Sequence, residues 1–203
     1  MSAAAGMNNI IILVATEDEK KALIPHSYQD YVIITGIGYR NVIKTISALL
    51  KSDNKILDSL FINIGYAGSN HGEIGTVYEV EHSETVGNHI YYDYQNTQDC
   101  QNLKTPCNLR NKANCFTATD FVAEVDQNTV KFNKNKSNTI IYDMELAAIS
   151  AFNENTIAYK IVSDHLEEMV YKTSLKNNYH QEIQEILDKI TVVQNNCRQE
   201  NGC

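Results

Sequence analysis

Residues 56–75 read ILDSLFINIGYAGSNHGEIG. An apolar run from Leu60 to Ile64 is followed by glycines at 65, 68, 72 and 75. The run has the continuity of a strand buried on both faces. Glycines open its C-terminal end into a tight loop with few side chains. In open α/β sheets, ligands bind in the crevice beyond the carboxyl ends of the strands. This loop is therefore a candidate ligand edge. The same glycines serve equally as turn formers, and the stretch alone does not separate the two readings.

Upstream, Asn9 to Ala15 (NIIILVA) is another continuous run rich in branched residues, as expected of a buried strand. Thr16, with Glu19 three positions on, forms a capping-box pattern, and Glu17, Asp18 and Glu19 suit a first helical turn. Pro25 limits that helix. Tyr31 to Thr35 (YVIIT) is a second strand running into GIGYRN, after which Val42 to Leu50 repeats apolar residues at helical spacing. The GIG turn lacks the third glycine of a dinucleotide fingerprint. Asp53 to Asp58 is a polar connection back to the opening stretch. The alternation β-α-β-α-β is the signature of an α/β fold with largely parallel strands.

Downstream, TVYEVEH after Gly75 reads as a strand. Residues 83–114 carry little apolar patterning, with a short hairpin expected around His89 to Tyr94 and an irregular loop around Pro106. Cys115 to Val122 and Thr139 to Tyr142 return to short strands. Asp143, Met144 and Glu145 then lead into the helix LAAISAF, whose alanines at 147, 148 and 151 permit close packing on a sheet. Thr156 to Val162 is the last strand, ending in Ser163, Asp164 and His165. A final helix at about 175–192 places Leu175, Tyr179, Ile183, Ile186, Leu187 and Ile190 on one face. The expected architecture is a single-domain, three-layer α/β/α fold over residues 9–193, around a central, mostly parallel, mixed sheet. Residues 1–8 are expected to be a disordered or tag-like extension, and 194–203 a frayed, flexible tail.

Composition narrows the function classes. The chain has 203 residues and a net charge of -8, with arginine only at 40, 110 and 198. Binding to nucleic acid rests largely on neutralising phosphates, so nucleic acid is a poor partner for it. No apolar run approaches the roughly 20 residues that span a bilayer, and the start makes a poor signal peptide, so a cytoplasmic location is expected. The cysteines at 100, 107, 115, 197 and 203 are too widely spaced for a compact zinc or redox motif, and free thiols are expected. A Cys100–Cys115 disulfide is the minority alternative.

Three strands finish in a carboxylate: Glu19 after the first, Glu145 after TIIY, Asp164 after KIV. Singly, each reads as a solvated or capping group. A parallel sheet brings such ends to one edge, beside the glycine loop, where they can activate water, bind sugar hydroxyls and protonate a leaving group. No histidine stands at ligand spacing with them, so neither a metal nor a cofactor is expected. His165 is a candidate contributor; His71, His82 and His89 read as loop surface. A serine hydrolase is disfavoured because no G-x-S-x-G elbow is present.

The segments IIILVATEDEKKAL, TGIGYRN, INIGYAG with GEIG, TDFV, DMELAAI and IVSD together resemble the purine nucleoside phosphorylase superfamily. Within it they are most similar to the 5'-methylthioadenosine/S-adenosylhomocysteine nucleosidases. The resemblance runs from residue 9 to about residue 164, and GYAG with DMELAAI is its most specific part. It implies a nucleoside phosphorylase-like fold, a homodimer, a small-molecule nucleoside substrate and a role in purine salvage. It also implies that Glu19 activates the attacking water and that Asp164, after Ser163, protonates N7 of the departing purine. Glu145 would hold the ribose hydroxyls with Met144 beneath the sugar, and Gly65, Tyr66 and Ala67 would border it. Phe121 would stack on the base, with Val122 offering backbone groups to its polar edge. Tyr66 stands where the family often has serine or threonine, and Thr119 replaces its usual aspartate. Asn63 stands where phosphorylases carry an arginine. Hydrolysis is thereby favoured over phosphorolysis, with a non-catalytic nucleoside-binding protein of the same fold as the third reading.

Overall fold

The structure is a computed structural model and describes residues 10–85, 109–118, 139–166 and 178–201. The expectations for residues 1–8, His89 to Tyr94, Pro106, Phe121, Val122, Leu175 and the cysteines at 100 and 107 lie outside these residues.

The strands are β1 (Ile10–Val14), β2 (Val32–Ile34), β3 (Leu60–Gly68), β4 (Val77–Thr85), β5 (Lys112–Thr117), β6 (Thr139–Asp143) and β7 (Thr156–Asp164). The helices are α1 (Glu17–Leu23), α2 (Tyr39–Ser52), α3 (Leu146–Phe152) and α4 (His180–Asn201). Each β1–β3 element falls where hydrophobic periodicity placed it. The α1 helix opens on a complete capping box between Thr16 and Glu19 and stops before Pro25. The α4 helix continues to Asn201, through most of the stretch expected as a frayed tail. His82 falls within β4 and is half-buried, not loop surface as expected. No described helix is long and apolar enough to cross a membrane.

Among the described residues one sheet has the order β2-β1-β3-β6-β5-β4-β7, with β3 also paired to β7. β1, β2, β3 and β7 run parallel. β4 turns antiparallel to β7, and β5 and β6 follow β4 in parallel. The chain of pairings β3–β7–β4–β5–β6 therefore closes on itself through an antiparallel contact of β6 with β3. In that contact Tyr142 stands opposite Gly68, so the two strands meet tip to tip. The C-terminal ends of β3 and β6 thus come together by ring closure. This corrects the expectation that a parallel edge alone would gather them.

Apolar packing covers both faces. Leu23 of α1 and Ile183, Ile186, Leu187 and Ile190 of α4 join Ile12, Ile62, Ile64 and Tyr159 on one side. Val42 and Ile46 of α2 and Ala148 and Ile149 of α3 meet Leu13 and Phe61 on the other. A third cluster, including Ala67, Val80, Ala113, Cys115, Ile141 and Val162, unites strands of the closed ring. Fully burying each large aliphatic side chain is worth about 1.5–3 kcal/mol, so these clusters hold the sheet and leave the polar edge free for chemistry.

Candidate active site

Glu19 is fixed before any ligand arrives. The capping box turns its side chain back on the helix start, where Oε2 accepts from the backbone N–H of Ala15 at 2.8 Å and of Thr16 at 3.1 Å. Its other oxygen, Oε1, accepts from the Tyr66 N–H at 3.2 Å, across to β3. A cap partner on the surface would be solvated, yet Glu19 is only 4% exposed. Burial pushes its carboxyl above the usual range, against the opposing pull of Lys160 and the three N–H donors. Capping and presentation at the sheet edge are therefore the same geometry.

Glu145 approaches from the other side. It sits at the N-cap of α3, and its Oε1 accepts from the Gly38 N–H at 2.7 Å. Gly38 is the second glycine of the GIG turn, caps α2, and has φ +87, a left-handed conformation that favours glycine. The GIG turn thus presents an N–H at a helix N-terminus to a carboxylate. Met144 donates its N–H to Glu145 Oε2 at 3.3 Å, and its methyl end lies 3.7 Å from where a Cβ on Gly38 would stand. Burial, then the charges of Asp143 and Glu19, push Glu145 up to about 7; Lys160 and the Gly38 N–H act against them. The influence of Glu19 on Glu145 places them in one electrostatic neighbourhood.

Asp164 closes β7 and is 2% exposed. Its Oδ2 accepts from Ser163 Oγ at 2.6 Å, and its carbonyl accepts from the Ser69 N–H. Ser163 Oγ also lies 3.3 Å from the Ala67 carbonyl. A register shift between Ala67 and Gly68 leaves Ser163 as an extra residue and re-aims the strand end. A Cβ on Gly68 would stand 3.1 Å from Asp164 Oδ1 and 2.7 Å from a methyl of Leu166. The missing side chain at Gly68 is therefore what lets Asp164 lie against β3. Gly65, three residues earlier, borders Glu19 Oε1 and Lys160 Nζ at 3.3 and 3.5 Å from its Cβ position. Glu19 and Asp164 consequently flank points on β3 about 10 Å apart, at about 3.3 Å rise per residue.

Tyr66 contributes its backbone N–H, while its ring is buried in the core with α4 and meets Tyr179 at 6.1 Å between centroids. Alternation along β3 explains this: Gly65 and Ala67 face the site side, and Tyr66 faces the opposite side. The larger residue is accommodated because it points away from the carboxylates.

Two residues absent from the expected set stand between the carboxylates. Lys160 of β7 is 1% exposed, and its Nζ pairs with Asp143 Oδ2 at 2.7 Å. Asp143 also accepts from Thr117 Oγ1 at 2.6 Å and from the Leu146 N–H at 2.9 Å, and Thr117 in turn accepts from the Ala147 N–H. Burial pulls Lys160 down, but Asp143 and then Glu145 outweigh it and raise it above the ordinary lysine range. The signal was legible: a lysine inside the apolar strand TIAYKIV needs a buried partner. Cys115 is buried and unpaired by disulfide, and burial pushes its thiol well up, which makes it a poor nucleophile. No cluster of metal-ligating side chains occurs among the described residues.

Thr117→Val is expected to cost about 1–3 kcal/mol by urea denaturation, because it strips a buried hydroxyl from Asp143 and from the Ala147 N–H. Thr117→Ser should cost much less. Equal losses in both would remove the hydroxyl from this role.

No protein-family model and no curated protein matches the sequence. Solved structures do match in shape. A futalosine hydrolase mutant from Helicobacter pylori aligns with TM-score 0.63 and 13% identity over 90% of this chain and 97% of its own. An S-adenosylhomocysteine nucleosidase from Streptococcus pyogenes, in complex with 5-methylthiotubericidin, aligns with TM-score 0.57 and 18% identity over 96% and 99%. A Chlamydia trachomatis MTAN aligns with TM-score 0.58 and 15% identity over 89% and 96%. The fold is nucleoside phosphorylase-like. Coverage above nine-tenths of each of those chains makes this a likeness of the whole fold. Within a nucleoside phosphorylase-like fold, the carboxylates described above come from α1, the β6–α3 junction and the end of β7.

Proposed function

We propose that this protein hydrolyses the N-glycosidic bond of a purine nucleoside or 5'-thio-nucleoside, of the methylthioadenosine/S-adenosylhomocysteine type, and releases the base. The observation that carries this reading is a set of buried carboxylates: Glu19 and Asp164 against Gly65 and Gly68 of β3, and Glu145 on Gly38, within electrostatic reach of Glu19. Breaking the bond builds positive charge on the ribose and negative charge on the purine. Glu145, anchored on Gly38, stabilises the first and holds the ribose hydroxyls, with Met144 beneath the sugar. Asp164, held by Ser163, delivers a proton to purine N7. Glu19 takes a proton from water as its oxygen attacks the sugar carbon, so one water is divided between sugar and base. Preorganised charges of this kind supply a large share of catalysis. Phe121 and Val122 take the base in this reading, and the working unit is a homodimer.

Phosphorolysis is the second reading, and the anion is its difficulty. Asn63, on the Gly65 face of β3, donates through Nδ2 to the Leu13 carbonyl, leaving a buried acceptor oxygen without a partner. Arg40 and Arg110 are exposed. An acceptor at this position repels phosphate where a guanidinium would bind it.

The test is a panel of methylthioadenosine, S-adenosylhomocysteine, adenosine and inosine, each with and without phosphate. Free base in phosphate-free buffer is the expected result, and release only with phosphate sinks hydrolysis. Purine binding without turnover of any nucleoside would leave a binding protein. Asp164→Asn should lower kcat by about 10²-fold or more with the fold intact; unchanged turnover removes Asp164 from the acid role.

A further inference from the structure

Lys160 has no place in the reaction described above, yet it is a fully buried charge at the site. It reaches in from β7, with Asp143 of β6 at 2.7 Å, Glu19 of α1 across the Gly65 position, and Glu145 at the start of α3. Cys115 of β5 also faces it, and Asp164 lies further along β7. With Glu19, Asp143 and Glu145 all ionised, the cluster holds three negative charges against one positive charge, in a place that water does not screen. A lone ammonium there would favour charged carboxylates but would oppose positive charge developing on a ribose. Pairing it with Asp143 moderates that cost, while Nζ stays 3.5 Å from the Gly65 Cβ position that Glu19 Oε1 borders at 3.3 Å.

We propose that Lys160, balanced by Asp143, is a positioning residue that sets the charge state of Glu19 and Glu145, and through them the pH range in which the site works. This rests on the nucleosidase reading for its consequence in catalysis, but the charge control is a property of the folded protein alone. Its signature is opposite effects from the two partners. Removing the positive charge makes Glu19 and Glu145 easier to protonate; removing the negative charge makes Glu145 harder to protonate. An ion pair out of electrostatic reach of the two glutamates has no such signature, since loss of either partner would then weaken the fold without moving those titrations.

The experiment labels glutamate side-chain carboxyls with 13C and follows Glu19 and Glu145 by NMR from pH 4 to 9, a range of about five pH units around the ordinary carboxylate and neutral values. Lys160→Met should move both midpoints upward by about one pH unit or more, and Lys160→Arg should return them toward wild type. Asp143→Asn should move Glu145 downward. Where base release is measurable, the acid limb of kcat/KM should follow the same order, with about a tenfold loss per pH unit on its acid side. Lys160→Met leaves Asp143 unpaired; if that variant does not fold, Asp143→Asn and the Lys160→Met/Asp143→Asn double variant carry the test, the double variant titrating Glu145 above Asp143→Asn alone. Midpoints that stay within 0.2 pH units of wild type, about the precision of such titrations, or that move the same way in both single variants, overturn the proposal. Shifted titrations in a protein that releases no base overturn the nucleosidase reading and support the charge control.

Discussion

Glu19→Gln is expected to reduce kcat/KM for base release by about 10²–10⁴-fold, the range of a lost general base. Glutamine keeps the shape of the side chain but has no basic oxygen for the attacking water. It also has one acceptor oxygen where glutamate has two. Glu19 accepts from Ala15 and Thr16 through Oε2 and from Tyr66 through Oε1, so glutamine must abandon one side. That loss is worth about 1–3 kcal/mol, offset in part because no charge is then buried. The activity loss should therefore far exceed any loss of folded protein, when assayed well below the Tm. Substrate KM should change little, because the residue acts on water. A folded Glu19→Gln enzyme within threefold of wild type, a gap of about 0.6 kcal/mol, would exclude Glu19 as the base.

Glu145→Gln is expected to separate stability from activity. The carboxyl is raised from 4.5 to about 7, chiefly by burial. A carboxyl whose folded pKa lies above its unfolded value favours the folded state fully below the unfolded pKa. That advantage is lost as pH rises through the folded pKa. Between pH 4.5 and 7 the native protein holds the proton more tightly, and by pH 8 the ionised carboxylate costs about 3 kcal/mol relative to its protonated form. Glutamine never ionises, and its oxygen can keep the bond from Gly38. The Tm of Glu145→Gln should therefore exceed that of wild type at pH 8 and approach it near pH 5. Turnover should fall by about 10²-fold or more, because the charge facing the ribose is gone. In the wild type, kcat/KM should decline as pH falls through about 7. Parallel Tm curves for the two proteins from pH 5 to 8 would remove the cost of burying Glu145. A site that is destabilising when empty and productive when occupied matches the usual trade between stability and activity.

Much of this was legible in residue order. Apolar runs located β1, β2, β3 and β7, Thr16 with Glu19 defined the start of α1, and the alanines of LAAISAF marked a helix that packs closely. Glu19, Glu145 and Asp164 stood out because each follows a strand, a purely local pattern. The placement of the Tyr66 ring followed from two-residue alternation, but only once the buried face of β3 was known. The α4 helix runs on to Asn201 through a polar stretch that carries no apolar periodicity, because a polar stretch can still continue a helix already begun.

Lys160 and Asp143 lie 17 positions apart and meet only because β6 runs against β3 and closes the ring. Strand direction is set by connections and by packing between distant segments, which no window along the chain contains. The sequence by itself determined the elements, the turn chemistry at Gly38 and which carboxylates end strands, since each depends on neighbours a few residues away. Tertiary structure alone decided that β6 meets β3 tip to tip, that Tyr66 turns its ring from the site, and that Lys160 stands among the acids. Burial and charge compensation depend on what surrounds a group in space, and that is settled only when the sheet closes.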